Sequence, residues 1–524
     1  MRANADEGLL KAIGAFRRLL FGGDEAAFRE RFALTRAEEL RTFVPLLPRL
    51  LRGFSPGVLF RLLPFARKVG RRGLGEYLKT NLAVLKAQAA LQGKRVVVAA
   101  RSNPAGRGGG RRRRARRSGR EAREGCLSRG RVPPVDRNLV AKKATELVER
   151  HGRGELTSAE RFHAQIFGKK PPDRVPFAPL MDYFYARVAG VRVDEFVCTP
   201  YSELLKLTKS VHSTFANLFD LAHVPMGRVY SFFQPVPLAH TAFYAKLHLP
   251  DDVGQVLQFL EEPYVGVDDL PRLASEGAKV AWRPRPLRPL LEVLVDFLQL
   301  GAHVDHWERR ERVPLYTGSA IATPMEALSY LMGMSRWAHA ARKHPETVRA
   351  ACDALLPGLM ANDLLLKEFS GVKRAYVCLE RVSPKFLSPA AFERFAWPHL
   401  KAIVGENNRR GHVNLFHMDT DWSDFLHYFA TLPKNGKYLF HLEATPMDVA
   451  ADEVGHLGAL MGNLDASTLV FGSARKVAAK AESLISALKD SCRLILSAGC
   501  HLPPDTPPEN VLAILETVLT AGRY

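Results

Sequence analysis

GHVNLFHMD, from Gly411 to Asp419, and RLILSAGC, from Arg493 to Cys500, decide how this 524-residue chain folds. Each is a short apolar run that delivers metal-binding or acidic groups to its C-terminal end, His417 and Asp419 in the first and Cys500 in the second. Two similar runs lie between them, GKYLFHLE ending at Glu443 and ALMGNLD ending at Asp465. Toward the N-terminus come RAYVCLE from Arg374, PLYTGSAI from Pro314, HVPMGRVYSFF from His223 and VPFAPLMD from Val175. Most of these eight runs are separated by segments long enough for a helix. That pattern predicts an α/β fold, a (β/α)8 TIM barrel, whose chemistry sits at the C-terminal ends of the strands.

Asp182, Glu380, His417, Asp419, Glu443, Asp465 and Cys500 all fall at those ends. An acid there also serves as a helix cap or a solvated loop residue. The convergence of all seven is what points to a site. His441 lies two residues before Glu443, so on a strand both face the same side.

A hydrophobic content of 47% supports a sizeable core. Six unpaired-looking cysteines, at 126, 198, 352, 378, 492 and 500, argue for a reducing compartment. No signal peptide or apolar run of membrane-spanning length is evident, so a cytoplasmic protein is expected. The net charge of +21 is concentrated: twelve Arg and two Glu between Arg101 and Val132 supply about half of it. The rest is only moderately basic, and a nucleic-acid partner is not expected.

Residues 1–95 carry helix-like periodicity broken by prolines and read as a helical N-terminal extension. Residues 96–135 are an Arg/Gly-rich tract without apolar periodicity, read as a disordered linker, a phosphate-binding arm or the product of a local shift of reading frame. The barrel is expected over 136–524. Extra helices are expected between about 240 and 312, where the crossover is long and Pro-rich. SPAAFERFAWPHLKAIVGENNR and SARKVAAKAESLISALKD have the spacing of helices on the outside of a barrel.

From about 160 to 524 the chain resembles the superfamily of uroporphyrinogen decarboxylase and the cobalamin-dependent methyltransferases. The resemblance rests on LSPAAFERFAWPHLKAIV, on GNLD followed by FGSARKV, and on ILSAGCHLPPDTPPENV. It implies the same barrel. The arginine-rich RQAGR motif with which the decarboxylase binds its polycarboxylate substrate is replaced here by APLMDYFYAR. Two decarboxylase positions match, Asp220 in LFDLAHVP and Tyr330 in TPMEALSYLMG, and the resemblance gives both catalytic roles.

The decarboxylase's C-terminal histidine aligns with Cys500, a mark of the methyltransferase branch, where such a Cys and an earlier His-x-Cys bind zinc. Here that earlier motif is His417-Met418-Asp419, so a carboxylate replaces one thiolate. The resemblance therefore implies a zinc ion on His417, Asp419 and Cys500, with Glu380, His441 or Glu443 as a fourth ligand or supporting group and Asp182 and Asp465 toward substrate. It further implies methyl transfer between methyl-cobalamin and a thiol. The corrinoid would come on a partner protein, since no Asp-x-His-x-x-Gly occurs in the chain. A lyase acting through Asp220 and Tyr330 on a porphyrinogen or other carboxylated substrate is the second expectation, and a degenerate barrel that binds without catalysing is the third.

Overall fold

A computed structural model describes residues 134–168, 170–196, 199, 201–224, 246–248, 258–260, 265–277 and 300–524. The reading of 1–95 as helical, and that of 96–135 as a linker save for its last two residues, lie outside the described residues. From Asp136 onward the described residues belong to one compact unit.

The chain enters that unit through two capped helices. Asp136 accepts from the amides of Asn138 and Leu139 and starts α1, Arg137–His151. Thr157 and Glu160 form a reciprocal capping box on α2, Ser158–Phe167, satisfying amides that the first turn leaves open. The long crossover carries an antiparallel ribbon, β1 Lys246–His248 with β2 Gln258–Leu260.

Six strands then form one parallel sheet in chain order: β3 Ser319–Ala322, β4 Arg374–Cys378, β5 Val413–Met418, β6 Lys437–Leu442, β7 Ala459–Leu464 and β8 Leu494–Ala498. Two extended segments close the sheet on itself. Ala178 N–H donates to Leu496 of β8 and Leu496 N–H to Pro176, while Asp220 N–H donates to Phe177. On the other side Ala222 N–H donates to Pro314, Tyr316 N–H to Ala222, and Gly318 N–H to Arg374 at the start of β4. With these two segments there are eight strand positions, and the fold is the (β/α)8 barrel.

The second position differs from the sequence reading, which starts a strand at His223. The barrel pairing uses Asp220 and Ala222, just ahead of it, and 225–233 lie outside the described residues. The acid hides this strand from a hydrophobicity scan: Leu221 points into the barrel while Asp220 on the opposite face is neutralised by arginines.

The helices between strands follow their apolar spacing. The SPAAFERFAWPHLKAIVGENNR segment is two helices, α4 Pro389–Phe395 and α5 Trp397–Arg409, following α3, Pro324–Met332. The break falls at Ala396, ahead of Pro398, which has no amide to continue the first helix but suits the first turn of the second. SARKVAAKAESLISALKD becomes α6, Ala474–Leu488, capped by Ser473. The chain closes with α7, Pro508–Thr520.

Alternate strand residues fill the barrel interior. Ala178, Leu180, Leu221, Tyr316, Val413, Leu415, Leu439, Ala459, Met461 and Ile495 form one buried cluster, and Phe162 and Ile166 of α2 join it beside the strand starts. Because this lower volume is packed with hydrocarbon, polar chemistry is confined to the upper end.

On the outward face Asp220 is fully buried and saturated. Its Oδ1 accepts from Arg161 at 2.6 Å, Ser158 at 3.0 Å and Arg174 at 3.2 Å. Its Oδ2 accepts from Arg174 at 2.7 Å and the Phe177 amide at 2.9 Å. Arg161 also binds Asp173. Burial pushes both carboxyls up, but their arginines outweigh it: Asp220 is held below the ordinary range and Asp173 at about 2. Removing Asp220 strands two buried guanidinium groups. Asp220→Ala is therefore expected to cost about 3–5 kcal/mol in urea unfolding. Since both folded-state values are depressed, their stabilisation is present above about pH 4 and is lost as pH falls through those values, about 2 for Asp173. The unfolding midpoint of the parent should drop across that window more steeply than that of Asp220→Asn.

Candidate metal centre

His417 is the fifth residue of β5, and period-2 alternation from Val413 and Leu415 turns it inward. The same alternation from Leu439 turns His441 of β6 inward, and the two rings meet edge to face with Nδ1 atoms 3.0 Å apart. His441 Nε2 lies 2.9 Å from the Ala498 carbonyl at the end of β8. A carbonyl only accepts, so Nε2 carries the proton and Nδ1 of His441 is an acceptor. It receives the Tyr316 hydroxyl at 2.7 Å and Nδ1–H of His417.

This chain of bonds leaves Nε2 of His417 as the free ring nitrogen, directed at two acceptors. Asp419 Oδ1 is 3.1 Å away and Cys500 Sγ 3.3 Å. One donor atom from each of the three residues lies within 4.8 Å of the others. Asp419 Oδ1 is buried and accepts no hydrogen bond among the described residues. A lone pair, an oxygen and a sulfur converging on one point need a positive charge between them. Burial opposes charging His417, yet Cys500 and Asp419 outweigh it and raise the ring well above the ordinary histidine value. Burial likewise pushes Asp419 up, and His417 reverses this to leave it lowered. Burial and then Asp419 push the Cys500 thiol up to about 11. A cation satisfies all three in place of protons, and the N, O, S donor set fits zinc.

The loop bearing Asp419 is pinned. Thr420 has φ +67° and donates its amide to Glu443 Oε2 at 2.7 Å, and Trp422 Nε1 donates to the Asp419 carbonyl. Glu443 is exposed and holds the loop that bears Asp419, outside the three-residue group itself.

Glu380 stands in an adjoining group. Its Oε2 accepts from Tyr330 at 2.5 Å and its Oε1 lies 3.1 Å from Cys378 Sγ. Glu326, one turn before Tyr330 on α3, accepts from the amides of Glu380 and Arg381. Burial and then Asp419 raise the Glu380 carboxyl, so the two groups feel each other. Asp182 is buried between His223 and His501, each 3.6 Å from one of its oxygens. Asp465 caps the helix Ala466–Phe471 through the Thr468 amide. Asp220 is bound on the outer face as described, with its oxygens engaged away from this mouth.

The structure therefore brings His417, Asp419, Cys500 and His441 together, with Glu380 and Tyr330 beside them. Tyr316, Glu326 and Cys378 escape the sequence reading. Cys378 shares the parity of Glu380 in CLE, and Glu326 shares a helix face with Tyr330, signals that spacing alone could have raised. Tyr316 sits inside an apolar run with nothing to mark it.

The uroporphyrinogen decarboxylase (URO-D) family model matches residues 247–520. No curated protein matches the chain. Among solved structures, a methyltransferase from Methanosarcina mazei superposes with a TM-score of 0.51 at 19% identity, covering 69% of this chain and 98% of that one. At that identity the likeness speaks for a common fold. The family match takes in β3 to β8, the segment that carries His417, Asp419, Cys500, Glu380 and Tyr330, and the chain belongs to the uroporphyrinogen decarboxylase (URO-D) family.

Proposed function

We propose that this chain is a zinc-dependent methyltransferase that moves a methyl group between a corrinoid, carried by a separate protein, and a thiol. The observation that carries the reading is the convergence of His417 Nε2, Asp419 Oδ1 and Cys500 Sγ, with His417 oriented from behind by His441 and Tyr316. Zinc held there would keep a thiol substrate deprotonated and nucleophilic at neutral pH.

The chain's own residues supply the rest. His441 fixes the ring of His417, because its Nε2–H is committed to Ala498 and its Nδ1 faces the neighbouring ring. Tyr316 closes that network from below. Glu443 holds the Asp419 loop through the Thr420 amide. Asp182 and His501 extend the polar floor where substrate would be met. A decarboxylating lyase needs Asp220 available to substrate. Its saturation by Arg161, Arg174, Ser158 and the Phe177 amide favours the methyltransferase reading.

His417→Ala or Cys500→Ala is expected to lower bound zinc by about one ion per chain, measured by mass spectrometry on protein purified identically. Methyl-cobalamin demethylation in the presence of thiols should fall to background in both. Zinc content unchanged in both variants would overturn the reading.

The supporting bonds have their own signature. Tyr316→Phe and His441→Gln each leave the three donors in place but loosen the orientation of His417. Zinc affinity is expected to fall by about 10–100-fold, read by competition with a chromophoric chelator. Unchanged affinity in both would mean that the hydrogen-bonded chain behind His417 does not orient it.

A further inference from the structure

Glu326 is the most deeply buried acid at the barrel mouth, with no exposed surface. Its two oxygens have very different surroundings. Oε1 accepts from the amides of Glu380 at 2.9 Å and Arg381 at 3.1 Å, with Cys378 Sγ at 3.6 Å. Oε2 is buried and has no hydrogen-bond partner among the described residues. A native fold rarely leaves such an atom unsatisfied. Protonating it does not resolve the problem, since the resulting O–H still has no acceptor.

The neighbours of Glu326 are of one kind. Cys378 is 1% exposed, and its Sγ lies 3.1 Å from Glu380 Oε1. One donor atom from each of Glu326, Cys378 and Glu380 lies within 4.8 Å of the others. The nearby Arg381 guanidinium stacks on the Tyr330 ring, 3.9 Å from its centroid. Two carboxylates and a thiol packed this closely, away from water, repel one another when ionised unless a positive charge stands between them.

We propose that Glu326, Cys378 and Glu380 form a second divalent-cation site, distinct from the one on His417, Asp419 and Cys500. Two oxygens and one sulfur suit zinc or cadmium, with Cys378 releasing its proton to solvent on binding. The site is held from both sides: Glu326 is fixed by two backbone amides, and Glu380 by the Tyr330 hydroxyl. It does not depend on the methyltransferase reading, because it shares no ligand with the first centre.

Cadmium is the probe, since each cadmium–thiolate bond adds ultraviolet charge-transfer absorbance, and bound ions are counted in the same samples by mass spectrometry. The full-length parent is expected to show two separable ions and two thiolate contributions. Cys500→Ser should keep the contribution from Cys378, and Cys378→Ser should keep the one from Cys500. Glu326→Gln preserves the acceptor for both amides and serves where Cys378→Ser melts early. It should weaken cadmium binding at Cys378 by at least about tenfold while leaving the Cys500 signal unchanged. If Cys378→Ser and Glu326→Gln both fold and leave the ion count and absorbance of the parent intact, a water satisfies Oε2 and the proposal is overturned. Loss of all bound cadmium in Cys500→Ser overturns it as well, because one shared site would then account for both thiols. A signal that survives in Cys500→Ser at full parental strength and vanishes in Cys378→Ser supports this site and removes the first.

Discussion

The hydrogen bonds that tie Leu496 on β8 to Pro176 and Ala178 make the sheet a closed ring, and closure dictates where every side chain can go. With no free edge, each strand shares one register with two neighbours, and alternate residues have only the interior to occupy. A slip of one residue in β5 would turn His417 and Asp419 outward together and bring Phe416 and Met418 into the lumen. The site is thus a product of register before it is a product of its own residue types.

This explains which features were legible in the chain. β5, β6, β7 and β8 are mostly apolar runs buried on both faces, as parallel strands are, and their polar ends advertise the mouth. The helix of SARKVAAKAESLISALKD has apolar residues at helical spacing and a serine cap, two signals that agree. The second barrel strand carried its acid outward to Arg161 and Arg174, partners from distant parts of the chain that no local pattern contains. Asp220 therefore looked like a site residue although its oxygens are spent on cohesion. His441 faces the barrel interior, whereas Glu443 is exposed against the Asp419 loop, and the bond of His441 to Ala498 belongs to tertiary structure alone. Tyr316 and Glu326 stayed hidden because a tyrosine in a strand and a glutamate in the first turn of a helix are ordinary in those places.

The mouth of the barrel concentrates acceptors. Asp419, Cys500, Glu326, Cys378 and Glu380 are gathered over a hydrocarbon floor, with His417 beside the first two and the Tyr330 hydroxyl on Glu380. Such an arrangement is costly without cations or protons to share. The fold supplies rigid supports for it, through the amides that bind Glu326, the Tyr330 hydroxyl on Glu380 and the Thr420 amide on Glu443. Orientation comes from strands and one helix rather than from long loops.

Cys500 and His417 stand 83 residues apart in the chain, yet 3.3 Å apart in space. An ion shared between them would act as a removable staple, fastening the last quarter of the barrel to its middle. Cross-linking a loop of this length takes about 4–5 kcal/mol of freedom from the unfolded chain in the entropy model that describes disulfides. The strands from β5 to β8 would then be sturdier in the charged protein than in the stripped one, and metal supply would govern how long the chain survives as well as what it does.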